Sequence, residues 1–463
     1  MRTPDTMGND SRLSFWLRVR EFAVPPSMIE TATARRNAGD WAGACAAAGF
    51  DVDIDVRALA RRHGRAVTDC VRADLRRLAP DLLRWHLPRV APDGLLRPGT
   101  TVLLARYDLP DSRSPCGEIN SVHLVARTAP AWADAGQRIG LALWDGSGSG
   151  PHPHPHPRPD RRFRLDLHRH LWDASRVHEF GIRSGARRLE GPCSVDPGLT
   201  DRAPAGCAVD RWAAEAAILL RAEGRSDGPL RIRFGTRRQR VVELSADGNG
   251  PPALRNAESY PRSGVSALPV LPDAATWTLP DLQLLRAGAI TADRLHPLVA
   301  SALVPEWSPA ESRRDQEPGD RPFLVECRGE QHRIGLVDGV LAALDHDPAE
   351  IRREELLVAL TGTPLPCLRA IDRAHRHPDC LAGVRERLDH GDTAGALAVV
   401  EGLLGPGAVL RDGPLRDALA ASAQRRITYG LFRAGLTGYG PPRSRRDSRP
   451  SDRRSHPRNA NMR

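Results

Sequence analysis

Lysine is absent from the 463-residue sequence, so arginine supplies all 67 of its basic side chains. This excludes enzyme classes that depend on a lysine: P-loop NTPases, protein kinases, pyridoxal-phosphate enzymes and Ser-x-x-Lys hydrolases. The motifs Gly-x-Ser-x-Gly, His-Glu-x-x-His and Gly-x-Gly-x-x-Gly are missing as well. No spacing in the chain places a nucleophile beside a base, so a catalytic site is not predicted from local sequence.

Long apolar runs and paired cysteines are also missing. No stretch of 18 apolar residues occurs, so no transmembrane helix is predicted, and the first 25 residues contain no signal-peptide core. The eight cysteines are scattered without a Cys-x-x-Cys pair, which is typical of reduced thiols rather than of a disulfide framework. We therefore expect a cytoplasmic protein.

The net charge of +10 is concentrated at the end of the chain. Residues 441–463 contain eight arginines and two aspartates, a net charge of +6, which leaves +4 for the other 440 residues. A folded body so close to neutrality is a poor electrostatic match for a nucleic-acid backbone. The arginine-serine tail is predicted to be disordered, with non-specific affinity for polyanions as one interpretation of it.

Two distant stretches share the frame Gly-Asp-x-Ala-Gly-Ala-x-Ala. One begins at Gly39-Asp40 and the other at Gly391-Asp392. Glycine ends a helix in the left-handed conformation, and aspartate accepts a hydrogen bond from the first amides of the next helix. Each stretch therefore predicts a helical hairpin, and the two are interpreted either as a duplicated module or as coincident helix signals.

Between the hairpins the pattern changes from helices to strands, which predicts an α+β protein. The expected regions are a helical region at 1–98, an antiparallel β-rich domain with a His-Pro loop at 99–250, a linker with short helices at 251–319, a β-hairpin with a helical domain at 320–440, and a disordered Arg-rich tail at 441–463. Four strands are predicted in the β-rich domain, at 101–106, 121–126, 138–144 and 162–168.

The last of these strands suggests a metal site. Asp166, His168 and His170 alternate along it, so their side chains are expected on one face, where they could bind a zinc-type ion together with histidines of the His-Pro loop at 152–156. In the alternative interpretation, the leucines between them pack inward and the polar face meets water. No cofactor is otherwise expected.

A second group of possible zinc ligands is Cys367, His375, His377 and Cys380, which lie within fourteen residues. Only His377 and Cys380 have the two-to-four-residue separation that structural zinc sites prefer. The alternative is that Cys367 belongs to the apolar start of a helix.

A predicted hairpin at 230–244 carries the densest basic patch outside the tail. Its arginines are Arg231, Arg233, Arg237, Arg238 and Arg240. A basic two-stranded ribbon can enter a nucleic-acid groove, whereas charge on an edge strand also serves to prevent aggregation.

These patterns predict, first, a non-catalytic adaptor or scaffold that binds a protein partner through its helical hairpins. The alternatives are a metal-dependent enzyme that uses Asp166, His168 and His170, and a nucleic-acid-associated protein that uses the arginine hairpin and the tail.

Overall fold

The computed structural model describes residues 9–113, 119–133, 136–146, 154–187, 194–235, 238–245, 252–257, 260, 264–308, 323–327, 329–362 and 364–436. The chain divides into an N-terminal unit, Met1–Pro309 with Leu431–Arg463, and a C-terminal unit, Ala310–Gly430. The predicted tail at 441–463 lies outside the described residues. So do residues 309–322, which contain the boundary between the two units.

The N-terminal unit begins with helices. They are α1 (Asn9–Phe22), α2 (Pro26–Asn37), α3 (Trp41–Ala47), α4 (Val56–Arg77) and α5 (Pro80–His86). Helix α1 begins at Asn9, within the polar start of the chain. Helix α4 buries Val67, Val71 and Leu75 on one face, whereas Cys70 is exposed.

The first Gly-Asp frame forms the predicted hairpin between α2 and α3. Gly39 has φ +78°, and Asp40 accepts a hydrogen bond from the Gly43 amide at 2.8 Å. The second frame repeats this arrangement in the C-terminal unit, where Asp392 accepts from the Gly395 amide at 2.9 Å. A residue with a left-handed backbone followed by a side-chain cap explains both turns.

Two sheets follow in the N-terminal unit. Their strands are β1 (Phe50–Asp53), β2 (Thr101–Arg113), β3 (Ile119–Thr128), β4 (Ile139–Trp144), β5 (Ser194–Val195), β6 (Gly228–Arg233), β7 (Gln239–Ser245) and β8 (Ala253–Asn256). The first sheet has the order β1-β4-β3-β2, in which the predicted strands are antiparallel and β1, which was not predicted, is parallel to β4. The second has the order β5-β8-β7-β6, and β8 lies in a segment that the sequence indicated to be linker.

The remaining α-helices of this unit are short, apart from α8. They are α6 (Phe180–Arg183), α7 (Pro197–Thr200), α8 (Trp212–Ala222), α9 (Asp273–Thr276), α10 (Pro280–Arg286) and α11 (Pro297–Leu303). One apolar core joins α1, α4 and α5 to the first sheet, and another packs α8 against the second sheet. None of the described helices has the length and hydrophobicity needed to span a membrane.

The predicted strand at 162–168 is wrong. Residues Leu165–Leu167 and Arg169–Leu171 form two 3-10 helices, and Leu103 makes only an isolated bridge to Arg164. Hydrogen bonds from the backbone amides of His168 and Leu171 to carbonyls three residues earlier replace pairing between strands.

The C-terminal unit packs a three-stranded antiparallel sheet against helices. Its elements are β9 (Phe323–Cys327), β10 (Glu330–Val337), β11 (Val340–Ala343), α12 (Pro348–Thr361), α13 (Pro366–Arg376), α14 (Leu381–His390), α15 (Thr393–Leu404) and α16 (Pro414–Arg433). Apolar residues recur at every fourth position along α16 from Leu415 to Leu431, but they are buried only at the start of the helix. Leu415 is fully buried, whereas Ile427 is 56% exposed. Helical parts on either side of a β-rich middle confirm the α+β prediction.

The two aspartate caps generate a prediction. We expect Asp40→Ala and Asp392→Ala each to lower the free energy of unfolding by about 1 kcal/mol, because each leaves an amide of the first helical turn without its acceptor. Denaturant titration of each variant measures the change. Asp69→Ala removes an exposed aspartate that contacts Arg72 at 3.3 Å, and it serves as the control that should change stability by less than about 0.5 kcal/mol. Caps that cost no more than the control contradict this account.

Candidate metal centre

Three metal-ligand side chains converge in the C-terminal unit from three different elements. Cys327 is the last residue of β9, His346 lies in the turn between β11 and α12, and Cys367 is in the first turn of α13. Both cysteines are fully buried, and the imidazole of His346 is 4% exposed. The sheet and the helix core thus bring together residues that are about twenty positions apart in the chain.

The ligand atoms are close enough to share one ion. The two sulfurs and an imidazole nitrogen lie within 4.8 Å of one another, and Cys367 Sγ is 3.4 Å from His346 Nε2. Around a tetrahedral zinc ion, bond lengths of about 2.0–2.3 Å separate ligand atoms by roughly 3.5–3.8 Å. Small side-chain rotations would therefore bring all three atoms into ligand positions.

The other nitrogen of His346 faces a carboxylate. Its Nδ1 lies 3.7 Å from Glu350 Oε2, one turn into α12, which leaves Nε2 directed at the Cys367 sulfur. The ring of His332 stacks on His346 with the centroids 4.2 Å apart and the planes 12° from parallel. Carboxylates that accept a hydrogen bond from a metal-bound histidine fix its ring orientation and tautomer in many metal sites, and Glu350, at 3.7 Å, lies just beyond hydrogen-bond distance of that arrangement.

The Cys367 thiol is protonated at pH 7 as long as no cation is bound. Burial raises the pKa of Cys367 to about 11, and the neighbouring Cys327 thiol adds to this effect. A bound ion would reverse it, because a coordinated thiol loses its proton. Two thiolates and one imidazole form a set of soft and borderline ligands that suits zinc better than magnesium or calcium.

The second zinc group predicted from the sequence is only partly present at this centre. Of Cys367, His375, His377 and Cys380, only Cys367 contributes to it. His375 is buried on α13, His377 ends that helix, and Cys380 precedes α14. The actual neighbours of Cys367 come from β9 and from the turn after β11. Sequence spacing gave no signal for them, because none of the three donors is within four residues of another.

Of the first predicted metal residues, the structure brings the rings of His168 and His170 together, with the centroids 5.8 Å apart, whereas Asp166 pairs with Arg164. Asp166 accepts hydrogen bonds from Arg164 at 2.8 and 2.9 Å, and His168 Nε2 lies 3.1 Å from Glu215 Oε2. His170 is buried, and burial holds its pKa well below the usual value. Because residues 162–168 form no strand, the alternation on which the prediction rested does not hold.

The histidines of the His-Pro loop are packed against the first sheet where the structure describes them. His154 Nε2 donates to the Thr128 carbonyl at 3.0 Å, and the backbone carbonyl of His156 accepts from Thr101 Oγ1 at 2.5 Å. Burial lowers the pKa of His154 to about 4, so its imidazole is neutral at pH 7. His152 lies outside the described residues.

The arginine hairpin forms as β6 and β7, with β6 at one end of its sheet. Arg231 and Arg233 line an open cleft of about 470 Å³, whose other wall is formed by residues 155–162. Arg237 lies outside the described residues. An end position for β6 agrees with charge on an edge strand, and nucleic-acid binding stays a prediction.

Comparison with known protein families, with curated proteins and with solved structures found no match for this chain.

The burial of the thiols predicts their order of alkylation in metal-free protein. We expect Cys70, which is exposed, to react before Cys327 and Cys367, because the thiolate is the reactive form and both of these sulfurs are buried. Mass spectrometry of peptides after timed alkylation measures the order. Equal rates for Cys70 and Cys367 would show that the C-terminal centre is open to solvent.

Proposed function

We propose that the C-terminal unit is a metal-binding module in which Cys327, His346 and Cys367 hold one zinc-type divalent ion. The convergence of these three donors within 4.8 Å is the observation that carries the proposal. The ion would join the end of β9, the turn before α12 and the start of α13. Since each donor comes from a different element, the binding free energy of the metal would stabilise the fold of the unit.

The buried position of the sulfurs supports a structural role for the ion. Structural zinc sites use four protein ligands, whereas catalytic sites keep one position open for water or substrate. Three donors are within reach of one another here, and the ring of His332 stacks on that of His346 with the centroids 4.2 Å apart. The Nδ1 atom of His332 is buried and makes no hydrogen bond to any residue that the structure describes, so it is the candidate fourth ligand.

Metal content tests the proposal directly. We expect one zinc ion per full-length chain, and loss of that ion in Cys327→Ser and in Cys367→Ser, because each change removes a thiolate donor. Cys380→Ser and Cys70→Ser are matched controls that should keep the ion. Elemental analysis measures stoichiometry, and cobalt substitution tests for a thiolate-to-metal charge-transfer band that both site variants must weaken. Metal-free protein after exposure to excess zinc, or full occupancy in both site variants, would overturn the proposal.

The carboxylate behind His346 generates a separate prediction. Glu350→Gln should weaken zinc binding by about tenfold or more, because the imidazole loses the charge that orients it. Glu355→Gln, an exposed position on the same helix, should leave the affinity within about twofold. Competition with a chromophoric chelator measures both affinities. A Glu350 variant that binds zinc like the control would remove the carboxylate from this role.

The second candidate function is the adaptor role, which an exposed apolar surface on the C-terminal unit favours. Helix α12 leaves Leu356 70% and Leu360 85% exposed, and Val340 of β11 is 62% exposed. Exposed apolar side chains one helical turn apart, as Leu356 and Leu360 are, are typical of surfaces that bind another protein. In this proposal a protein partner docks on α12 rather than on the Gly-Asp hairpins.

Paired variants test the adaptor role. Leu356→Ser with Leu360→Ser should abolish capture of a stoichiometric protein from native extract, whereas Leu397→Ser on α15, which is 41% exposed in the folded chain, should not. Light scattering of the purified chain shows whether the captured partner is a second copy. A monomer that captures nothing in either form contradicts the adaptor role and leaves the metal proposal unaffected.

A further inference from the structure

Helix α4 of the N-terminal unit presents a basic surface to solvent. Its exposed arginines are Arg57, Arg61, Arg62, Arg65, Arg72, Arg76 and Arg77. The acidic residues of the helix are Asp69 and Asp74, so its net charge is +5. Since residues 1–440 together carry only +4, the net positive charge of this part of the chain is concentrated on one helix.

The second half of α4 places several of these arginines on one side. Gly64, with φ +82°, divides the helix, and the segment at 65–77 that follows is about 20 Å long. Its apolar side is buried in the core of the unit through Val67, Val71 and Leu75. Positions 65, 72 and 76 are separated by seven and four residues, so their arginines project from a different side of the helix, towards solvent.

The guanidinium groups on this surface are not engaged by the protein. Arg65, Arg76 and Arg77 are exposed and make no hydrogen bond or ion pair with any residue that the structure describes. Arg72 contacts Asp69 at 3.3 Å, but the two side chains are 50% and 70% exposed. Exposed pairs of this kind are weak, so the N–H groups of all four arginines are accessible to an anion.

The other residues of α4 indicate which polyanion fits the surface. Helices that lie in a membrane surface insert an apolar face among the lipids, whereas the leucines and valines of α4 are buried or half-buried. Proteins that bind single-stranded nucleic acid stack its bases on aromatic side chains, and the sequence at 56–77 contains no aromatic residue. A nucleic-acid duplex needs neither feature, because it presents its phosphates on the outside.

The shape of a helix favours DNA over RNA as that duplex. An α-helix with its side chains is about 10–12 Å in diameter, and the major groove of B-DNA is about 12 Å wide. The major groove of an RNA duplex is deep and narrow, and side chains do not enter it. Guanidinium groups bind phosphates through two parallel hydrogen bonds. An arginine-rich segment about 20 Å long therefore matches the phosphates along a DNA groove.

We propose that residues 65–77 of α4 form a docking surface for duplex DNA, in which Arg65, Arg76 and Arg77 contact backbone phosphates. Such contacts depend on charge and not on base sequence, so binding is non-specific and falls steeply with salt concentration. Asp69 lies among these arginines and weakens the interaction by repelling phosphates. The surface is in the N-terminal unit and does not depend on the metal proposal.

Fluorescence anisotropy of the full-length chain with a labelled DNA duplex of about 20 base pairs, two helical turns, is the first test. We expect a Kd on the order of 10 µM at physiological salt. The triple variant Arg65→Gln, Arg76→Gln and Arg77→Gln should weaken binding by about tenfold or more. It should also reduce the slope of log K against log salt concentration by about 2–3, because each lost phosphate contact removes about one unit.

A second triple variant is the matched control. It removes the same charge from exposed positions on three other helices, through Arg221→Gln, Arg353→Gln and Arg385→Gln. Residues 441–463 are unchanged in both variants, so their contribution to binding is the same. The control should change the salt slope by less than about 1. Equal losses of affinity in the two variants would show that net charge, and not the surface at 65–77, determines binding, and would overturn the proposal.

A variant that gains affinity separates the proposal from any loss of folding. Asp69→Asn removes the repelling carboxylate and releases Arg72, so it should tighten DNA binding by about threefold. Asp379→Asn is the control, because it also removes an exposed aspartate that contacts an arginine, Arg373 at 3.2 Å, and it should leave the affinity unchanged. An Asp69 variant that binds DNA no more tightly than this control contradicts the proposed contacts.

Protection of Cys70 locates the bound duplex. This thiol is exposed within the segment at 65–77, so saturating duplex DNA should slow its alkylation by iodoacetamide about threefold or more and leave the rate at Cys380 unchanged. Single-stranded DNA, double-stranded RNA and vesicles of phosphatidylcholine and phosphatidylserine at about 7:3 are compared in the same assay. Duplex DNA should protect Cys70 at the lowest concentration. No protection by the duplex, or stronger protection by one of the other three, would overturn the proposal.

Discussion

A buried ion pair between Arg20 and Asp281 holds the N-terminal unit together. The guanidinium of Arg20 on α1 donates from Nε and Nη2 to the two oxygens of Asp281 on α10, each at 2.8 Å, although 261 residues separate them. Trp85 of α5 donates to the same carboxylate at 3.1 Å. Removing one partner from such a pair leaves a buried charge and typically costs about 3–5 kcal/mol. Three helices from distant parts of the chain are therefore fixed around one carboxylate.

The same pair also determines the surroundings of His86. Because both oxygens of Asp281 are committed to Arg20 and Trp85, neither is directed at His86, whose Nε2 stays unprotonated 3.9 Å away. The Arg20 guanidinium also lies 4.4 Å from the centroid of the Trp85 ring, so this cation packs against an aromatic face rather than against water. One interaction thus provides the mechanical link between α1, α5 and α10 and the electrostatic environment beside them.

The local features of this fold could be predicted from the sequence, and the non-local ones could not. Glycine and aspartate at 39–40 and 391–392 determine their turns through contacts within four residues, and the structure confirms both. The predicted strand at 162–168 is wrong because the backbone there forms 3-10 turns instead. The side chains of Arg162 and Arg164 pair with the distant Asp273 and Glu223, and the alternation of polar and apolar residues carries no information about these contacts. The parallel partner of β4 likewise comes from a four-residue strand almost ninety positions earlier.

The candidate sites depend even more than the fold on contacts between distant residues, which the sequence does not reveal. The sequence directed attention to histidines that are close in the chain, yet His154 donates a ring hydrogen to a backbone carbonyl, and His168 and His170 are buried in the core. Whether a histidine can bind a ligand depends on what its second nitrogen contacts. In His346 the Nδ1 atom faces Glu350, which leaves Nε2 to Cys367, and in His86 two carbonyls hold Nδ1, which leaves Nε2 without a hydrogen bond to any residue that the structure describes. Each ring thus combines a contact four residues away with a contact to a distant element, which is Cys367 for His346 and the Leu171 carbonyl for His86. Only the distant contact leaves no trace in residue spacing.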